Sequence, residues 1–364
     1  MGIKIAHITE AWSGGIATYI KTLMEHQSKS DEFEQISLIF SGNKTDARTT
    51  KELATCNKTS LHQYTSSRNP LHLLSISREI NNILQEIKPD IVHLHSSFPG
   101  VYGRITKRFP TVYCAHGWSF AQEENLLKKY SYAALEWFFA RRTDAVINIS
   151  QHEYNAANKL NIRGKLNPVI LNGVSDIQDS CDKPNLKIDD NYINIAFIGR
   201  LDFKKGFDII EPFFRELQLK NIKLYVIGEA ETGNKIPYQE CKNITYLGWV
   251  NNKEIDSYIQ LFDVIIVPSR YEGFALIPLE AMRNSKPVII SNRSSLPEAV
   301  IDGYNGYIFD LDNAEEQLTS IFKNLNKESL ALMGRNAREV YQSNFTDDRF
   351  ARKVSELYYK VLEL

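Results

Sequence analysis

Two glutamates with seven residues between them, Glu272 and Glu280, bracket a glycine turn in the C-terminal half of this chain. The apolar run that ends at Val267 predicts a buried strand, and Pro278 suits the first turn of a following helix. A turn from strand to helix presents backbone N–H groups without partners, and Gly273 lets a ligand approach that backbone closely. Such amides bind anions, and carboxylates accept hydrogen bonds from hydroxyl groups. The segment therefore favours a ligand that carries phosphates and sugar hydroxyls together, such as a nucleotide sugar.

A second glycine turn, also after an apolar run, carries two positive side chains. The predicted strand Ile193–Ile198 leads into Gly199-Arg200, and Lys205-Gly206 follows a few residues later. Arginine offers a planar fork of donors and lysine a point charge, so the pair can clamp a diphosphate. A solvated basic surface loop is the structural alternative.

Three histidines lie in or just after predicted strands. His116 follows one strand, and as a neutral imidazole it can donate a hydrogen bond to a sugar hydroxyl or stabilise a developing charge. A satisfied buried histidine is the alternative. His93 and His95 share one face of another strand. With His116 they suggest a zinc site, but the usual further ligands are not evident, and we predict no required metal.

These residues sit on a regular alternation of short apolar strands and amphipathic helices, which predicts parallel sheets with helical crossovers. At 364 residues the chain is long enough for about two domains. A polar stretch over 175–192 is the best linker, which gives an N-terminal domain over 1–175 and a C-terminal domain over 190–345. The predicted strands are Ile3–Ile8, Ile36–Phe40, Ile91–His95, Thr111–Ala115, Ala145–Ile149, Ile193–Ile198, Lys223–Ile227, Ile244–Leu247, Asp263–Val267, Pro287–Ile290 and Gly306–Phe309. Predicted helices include Leu71–Ile87 and Ala314–Leu325.

The composition excludes several classes of protein. Hydrophobic residues make up 43% and charged residues 24%, as in an ordinary globular protein, and the net charge of −1 predicts no nucleic-acid partner. The four cysteines form no CxxC pair, and Cys114 reads as a buried free thiol, which favours a reducing cytoplasm. We expect no signal peptide, and no run approaches the roughly 18 apolar residues that span a bilayer.

The segment 126–142 is aromatic and apolar, with Lys128 and Lys129 near its start and Arg141 and Arg142 at its end. A helix of this kind suits the surface of an anionic membrane, on its cytoplasmic face. The alternative, which the sequence favours slightly, is a core helix with solvated basic residues.

The motifs resemble those of retaining glycosyltransferases of the GT-B fold, family 4, also called glycosyl transferases group 1. The likeness is carried by Glu272 and Glu280 with Gly-Phe after the first, by the Gly-Arg and Lys-Gly pairs of 199–206, and by Asn172-Gly173-Val174. The run 116–120 is similar to capsule and O-antigen members. The resemblance implies two doubly wound Rossmann-like domains facing across a cleft, with the last helix, over 346–364, returning to the N-terminal domain.

The resemblance also implies roles. Arg200 and Lys205 meet the donor phosphates, Glu272 and Glu280 orient the hydroxyls of the donor sugar and of the ribose, and His116 touches the donor sugar. The other donor-binding residues are Gly15, in a glycine loop after the first strand, and Val250, Gly273, Phe274, Ala275 and Leu276. The chain departs from the family pattern at Glu229-Ala230 and over the serine-rich segment 291–295, which leaves the contacts there open.

The implied activity is retaining transfer of a hexosyl or N-acetylhexosaminyl group from a UDP-sugar to a saccharide or lipid-linked acceptor, in the synthesis of a cell-surface polysaccharide. No cofactor or metal is expected. Asp310-Leu311-Asp312 matches a metal motif of another glycosyltransferase fold, but Asp312 or Asn313 as a helix N-cap explains it more simply. The alternatives are a GT-B relative such as an epimerase or phosphorylase, and a catalytically silent nucleotide-sugar-binding protein.

Overall fold

The computed structural model describes residues 2–10, 12, 14–43, 57–105, 107–122, 125–177, 184–217, 221–230 and 241–364. The chain divides into two units. The first unit comprises residues 1–173 together with 347–364, and the second comprises 174–346. Cys56, Cys181 and the middle of the expected linker lie outside the described residues.

The first unit is built on a parallel sheet of six strands in the order β3-β2-β1-β4-β5-β6. Because consecutive strands are added outward in both directions from β1 and β4, the topology reverses between these two central strands. Its strands are β1 (Ile3–Thr9), β2 (Phe33–Ser41), β3 (Thr59–Tyr64), β4 (Ile91–His95), β5 (Thr111–Cys114) and β6 (Ala145–Ile147). Its helices are α1 (Gly14–Lys29), α2 (Leu73–Ile87), α3 (Ser97–Ile105), α4 (Leu126–Ala140), α5 (Gln151–Lys159) and α11 (Asp347–Leu362).

The second unit repeats this plan with the strand order β12-β11-β10-β7-β8-β9, again all parallel. Here the topology reverses between β7 and β10. The strands are β7 (Ile193–Ile198), β8 (Ile222–Ile227), β9 (Ile244–Gly248), β10 (Val264–Val267), β11 (Val288–Ser291) and β12 (Gly306–Phe309). The helices are α6 (Phe207–Glu216), α7 (Ile255–Ile259), α8 (Leu276–Arg283), α9 (Ala314–Asn324) and α10 (Lys327–Asn344).

The sequence predicted most of these strands because their apolar runs are buried on both faces of a parallel sheet. It missed β3, whose residues Thr-Ser-Leu-His-Gln-Tyr are mostly polar and only partly buried at the edge of the sheet. The helix predicted from Leu71 begins at Leu73, after a single 3₁₀ turn in which the Asn69 side chain accepts a hydrogen bond from the Leu71 N–H. It ends at Ile87, and Lys88, which precedes a proline, adopts the left-handed conformation at the C-cap. Cys114 is a buried free cysteine, as predicted.

Helix α11 belongs to the first unit, although it is the last element of the chain. One face of the helix is buried, including Phe350, Val354 and Tyr358. The Phe350 ring meets the Tyr19 ring of α1 edge to face, with the centroids 4.6 Å apart. None of the helices in the described part of the chain is both long and apolar enough to cross a membrane.

An ion pair at the start of α11 makes the stability of the first unit sensitive to pH. His26 of α1 places Nε2 3.1 Å from Asp347 and Nδ1 3.3 Å from Asp348, so only the doubly protonated ring satisfies both carboxylates. The hydrogen bond to Asp347 is the main cause that raises the pKa of His26 above 6.5. Because the folded pKa is the higher one, this stabilisation is complete below pH 6.5 and is lost as the pH rises through the folded value.

We therefore expect wild type to lose stability relative to His26→Gln as the pH is raised from 6 to 8. The difference should be below about 1 kcal/mol, because the pair is partly exposed. Chemical denaturation of both proteins at several pH values measures it. A constant difference across this range would contradict the assignment, and the buried histidines, which both proteins share, cancel in the comparison.

Candidate active site

The two loops singled out in the sequence follow neighbouring central strands of the second unit. Strand β7 pairs with β10, with Ile195 opposite Val264. The loop with Arg200 and Lys205 leaves the carboxyl end of β7, and the loop with Glu272 leaves the carboxyl end of β10. This edge, where the strand order reverses, is where sheets of this type bind ligands.

The Glu272 carboxylate is the point at which the two loops meet. Lys205 donates from Nζ to Oε1 of Glu272 over 2.6 Å, and Ser269 donates from Oγ to the same oxygen over 2.8 Å. The Glu272 side chain is only 13% exposed, and that of Lys205 is 27% exposed. The structure thus brings together two of the residues that the sequence predicted as catalytic.

Serine hydroxyls hold the backbone of Glu272. Ser294 accepts a hydrogen bond from the Glu272 N–H over 2.8 Å, and Ser295 donates to the Glu272 carbonyl over 3.1 Å. Ser291 donates to the carbonyl of Ser269 over 2.6 Å. Ser294 adopts the left-handed backbone conformation, φ 49°, which is uncommon outside glycine. These are the serines by which the chain departs from the family pattern. Sequence reasoning noted the departure but missed the contacts.

The Lys205 loop is held from the other side by Arg270. Its guanidinium donates two hydrogen bonds to the Asp208 carboxylate, at 2.6 and 2.8 Å, and its backbone N–H donates to the carbonyl of Lys204 over 2.9 Å. Gly206 has φ 73°, and a Cβ there would lie 2.1 Å from the carbonyl oxygen of Pro268, so only glycine fits. Arg270 was not predicted, because the sequence does not show that Asp208 faces it.

Arg200 is more open to solvent than Lys205. Its guanidinium lies 3.2 Å from Asp202, and half of its side chain is exposed. The Lys205 N–H donates to the other oxygen of Asp202 over 2.8 Å, so one carboxylate orders the loop that carries both cations. Arg200 is thus as exposed as the solvated surface-loop alternative expects, but Asp202 orders the loop around both cations.

The amino end of helix α8 stands beside Glu272. The helix begins at Leu276, and Ala275 at its N-cap position supplies no side-chain hydrogen bond to the first-turn amides. Phe274 is buried against Phe345, at 5.9 Å between ring centroids. The first-turn amides of α8 are therefore placed to bind an anion at the positive end of the helix dipole.

Glu280, one turn into α8, is partly buried. Burial raises the pKa of its carboxyl above the usual value; the charge of Arg283 opposes the shift and that of Asp256 adds to it. Within the described residues no hydrogen bond reaches the Glu280 carboxylate, since Arg283 pairs with Asp256 instead. The group is thus free to accept hydrogen bonds from a hydroxylated ligand.

Gly228 follows β8, and Val250, a predicted donor-binding residue, lies just after β9. Gly228, with φ 138°, approaches Gly199 so closely that a Cβ would lie 1.9 Å from the Gly199 carbonyl oxygen. Val250 is buried, whereas Trp249 is 65% exposed. Trp249 is therefore not a core residue.

The remaining predicted residues, His116 and Gly15, belong to the first unit. His116 follows β5 in the left-handed conformation, φ 55°, and burial lowers the pKa of its imidazole to about 3. The sequence predicted a glycine loop at Gly14 and Gly15. In the structure they are instead the first two residues of α1. Four residues separate the carboxyl end of β1 from the start of α1.

Two further sequence interpretations change in detail. The ring nitrogens of His95 and His116 hydrogen-bond to each other, whereas His93 bonds to Tyr358, so the three histidines that suggested a zinc site bind different partners. Asn313, one of the two predicted caps, stands at the N-cap position of α9, although its side chain makes no capping hydrogen bond. Asp310 accepts hydrogen bonds from the Asp312 N–H and from the Asn313 side chain, because the chain enters α9 through a 3₁₀ turn.

Helix α4 differs most from its sequence interpretation. Its buried face is a narrow stripe, and the aromatic and aliphatic majority of the helix points to solvent. The large exposed apolar residues are Leu126, Leu127, Tyr130, Tyr132, Leu135, Trp137 and Phe138. The core-helix interpretation, which the sequence favoured, therefore holds only for the stripe of Ala133, Glu136, Phe139 and Ala140.

Comparison with known proteins agrees with this architecture. Residues 13–176 match the model of the family described as Glycosyltransferase Family 4, and residues 179–340 match that of Glycosyl transferases group 1. The Anabaena protein Alr3699/HepE, solved in complex with UDP-glucose, superposes with a TM-score of 0.77 at 17% identity over 98% of this chain and all of that one. The fold is therefore the GT-B fold of glycosyltransferases, as predicted.

Sequence relatives place the chain more closely. An uncharacterized 41.2 kDa protein in the cps region of Klebsiella pneumoniae is 31% identical, over 86% of this chain and 88% of the relative. The UDP-Gal:alpha-D-GlcNAc-diphosphoundecaprenol alpha-1,3-galactosyltransferase of Escherichia coli is 28% identical, over 76% of each. The chain belongs to the glycosyl transferases group 1 family.

Proposed function

We propose that this glycosyltransferase transfers a hexosyl or N-acetylhexosaminyl group from a UDP-sugar, with retention of configuration, to a saccharide or lipid-linked acceptor of a cell-surface polysaccharide. The observation that carries the proposal is the contact of Lys205 with Glu272 at the carboxyl edge of β7 and β10, beside the amino end of α8. Relatives named for capsule and O-antigen synthesis support the acceptor class. The UDP and UDP-glucose complexes of HepE support the donor class.

Positive charge at this edge suits a departing diphosphate. A lysine ammonium has three N–H donors, and one of them is used by Glu272, which leaves two for phosphate oxygens. Arg200 adds a planar fork, and the first-turn amides of α8 add fixed dipoles. Together they stabilise the negative charge that develops when the bond from the sugar to the diphosphate breaks.

The hydrogen bonds that the Glu272 carboxylate accepts support front-face substitution. Its Oε1 already accepts hydrogen bonds from Lys205 and Ser269, which suits a group that orients sugar hydroxyls better than a covalent nucleophile. In the proposed step the anomeric carbon loses its bond to the diphosphate oxygen and gains one to the acceptor oxygen on the same face. The leaving diphosphate oxygen takes the proton of the acceptor hydroxyl. The reaction balances without a metal or cofactor.

Further binding roles follow from the same assignment. Glu280 accepts hydrogen bonds from the ribose hydroxyls, and Gly273, Phe274, Ala275 and Leu276 supply backbone contacts to the donor, with Val250 near the base. In the first unit, Gly15 contributes a backbone contact to the phosphates and His116 a contact to the donor sugar. Each role predicts loss of donor binding or turnover when the residue is changed.

A thermal-shift screen tests the donor, because a ligand that binds only the folded state raises the melting temperature. The panel contains UDP, UDP-glucose, UDP-galactose, UDP-N-acetylglucosamine and GDP-mannose. We expect a UDP-sugar to stabilise wild type, by about 2.7 kcal/mol at a hundred times its Kd, and to stabilise Glu280→Ala less. NMR of the product then gives the anomeric configuration. No response to any nucleotide, or an inverted product, would refute the proposal.

A membrane contact is the second part of the proposal, and the exposed face of α4 supports it. Leu127 is 80% and Tyr130 is 68% exposed, and Lys128 and Lys129 lie between them in the sequence. Apolar side chains beside basic ones match an anionic bilayer, with rings and aliphatic chains at the headgroup level. Such a surface would bring the enzyme to a lipid-linked acceptor.

Replacing Lys128, Lys129, Arg141 and Arg142 together by Gln is expected to weaken binding to anionic vesicles steeply. Each basic residue near such a surface contributes about 1 kcal/mol. Co-sedimentation with vesicles of phosphatidylglycerol and phosphatidylcholine measures the loss, and the double change of Leu126 and Leu127 to Ser should add to it. The control replaces four exposed basic residues elsewhere on the first unit: Lys21, Lys29, Arg108 and Lys159. Equal binding by the α4 variant and wild type would remove the membrane contact from the proposal.

A further inference from the structure

Three imidazoles of the first unit form a continuous chain of hydrogen bonds, which we call the imidazole ladder: His7, His95 and His116. His7 Nδ1 lies 3.0 Å from His95 Nε2, and His95 Nδ1 lies 3.0 Å from His116 Nε2. The inner end of the ladder is closed by Gln27 of α1, whose Oε1 lies 3.0 Å from His7 Nε2. Adjacent pairing of β1, β4 and β5 sets this spacing, since each histidine comes from a different one of these strands or its end.

All three rings are neutral. Burial lowers the pKa of His7 to about 4 and that of His116 to about 3, and it lowers that of His95 well below its usual value. The titratable groups packed around them keep their protons or stay neutral as well. Burial raises the pKa values of Tyr19 on α1, Tyr358 on α11 and Cys114 on β5, and lowers that of His93 on β4.

Neutrality makes the ladder directional, because a neutral imidazole has one donor nitrogen and one acceptor nitrogen. Oε1 of Gln27 only accepts, so His7 carries its proton on Nε2 and accepts at Nδ1. His95 must then donate from Nε2 and accept at Nδ1. His116 must in turn donate from Nε2, which leaves its Nδ1 as an acceptor.

The orientation of the Gln27 amide decides the direction of the whole ladder, because exchange of its oxygen and nitrogen would reverse every bond. In the structure Oε1 of Gln27 faces His7, 3.0 Å from its Nε2. Nε2 of Gln27 reaches no hydrogen bond of normal geometry among the described residues.

We propose that the imidazole ladder fixes His116 as its Nε2–H tautomer, so that Nδ1 accepts a hydrogen bond from a substrate hydroxyl. Gln27, His7 and His95 are then positioning residues for His116. This reverses the donor role that the sequence suggested for the neutral ring. The part of the inference in which a substrate hydroxyl binds at Nδ1 rests on the proposed function. The assignment of the tautomer does not depend on it.

The ladder positions a ring and does not conduct protons. A proton taken up at Nδ1 of His116 can move inward only by transfer from ring to ring, and the last ring faces an amide oxygen that does not accept it at neutral pH. His116 is partly exposed, and within the described residues no hydrogen bond engages its Nδ1, so a ligand hydroxyl can reach it.

Nitrogen-15 NMR of the full-length protein labelled at histidine tests the tautomer directly, with His116→Gln used to assign the signal. We expect a protonated, pyrrole-type Nε2 and an unprotonated, pyridine-type Nδ1 for His116 at neutral pH. The opposite tautomer, or a mixture as in free imidazole, would overturn the inference. This result is independent of whether any sugar is transferred.

Two substitutions of His95 test the positioning role. His95→Leu removes the link, and we expect a mixed His116 tautomer and a loss of about tenfold in kcat, the value of one hydrogen bond. His95→Gln restores one donor toward His7 and one acceptor toward His116, and should recover the tautomer and most of kcat. Equal behaviour of the two folded variants would overturn the role. If His95→Leu does not fold, the wild-type spectrum still decides the tautomer.

Discussion

Arg200→Ala and Lys205→Ala are each expected to lower kcat by about 10²- to 10³-fold, the usual cost of removing one preorganised donor from a developing negative charge. The effect should fall on kcat more than on KM, because the charge on the diphosphate increases as the bond to the sugar breaks. The measurement is turnover of the UDP-sugar that the thermal-shift screen identifies, with UDP release as the readout.

Arg215→Ala is the matched control for both variants. Arg215 is a basic residue of the same unit that pairs with Glu211 on α6, away from the carboxyl edge of the sheet. It should retain wild-type turnover. Melting temperatures near that of wild type would show that Arg200→Ala and Lys205→Ala keep the fold. Wild-type turnover in both of these variants would remove the phosphate assignment.

The expected loss of turnover depends on contacts that hold the Lys205 loop in place. The sequence shows only some of these contacts. Gly206 could be read as a turn residue, but its contact with Pro268 depends on the pairing of β7 with β10. The same holds for the bonds of Arg270 to Asp208, since these residues are far apart in the chain. Local sequence predicts residue types at a site, and sheet topology decides which of them touch.

The fold itself was largely predictable, because parallel strands buried on both faces leave long apolar runs in the sequence. The exceptions have physical reasons. Strand β3 is a polar edge strand and lacks such a run. For helix α4 the sequence slightly favoured a core position over a membrane surface, because most apolar stripes of this kind are buried, although most of its apolar surface is exposed. Composition predicts how much apolar surface a helix has, but does not predict whether the fold covers it.

The histidines of the first unit also show which contacts the sequence predicts and which it does not. The shared face of His93 and His95 follows from strand alternation, and the structure bears it out, with the two rings 4.1 Å apart at their centroids. The contribution of His7 was missed, because β1 and β4 are more than 80 residues apart in the chain and their register places His7 opposite His93. A chain of directional hydrogen bonds is visible only after this register is known.

The largest effect on stability is expected at Glu136, on the buried stripe of α4. Its carboxylate accepts hydrogen bonds from Arg104 Nη2 and from the Tyr113 hydroxyl, each over 2.8 Å. The Arg104 side chain is fully buried, and its guanidinium lies 3.9 Å from the centre of the Tyr113 ring. Glu136→Leu leaves the Arg104 charge buried without its counterion, so we expect the first unit to lose about 3–5 kcal/mol.

Calorimetry of wild type and variants measures this loss, and a double variant separates its cause. Arg104→Met combined with Glu136→Leu removes both charges, and apolar replacement of a whole buried pair is often neutral or stabilising. The double variant should therefore recover most of the stability that Glu136→Leu loses. Glu25→Ala, which breaks an exposed pair with Lys21 in the same unit, should change stability by less than about 1 kcal/mol. If the double variant were as unstable as Glu136→Leu, the loss would come from packing around α4. The unpaired charge would then not be its cause.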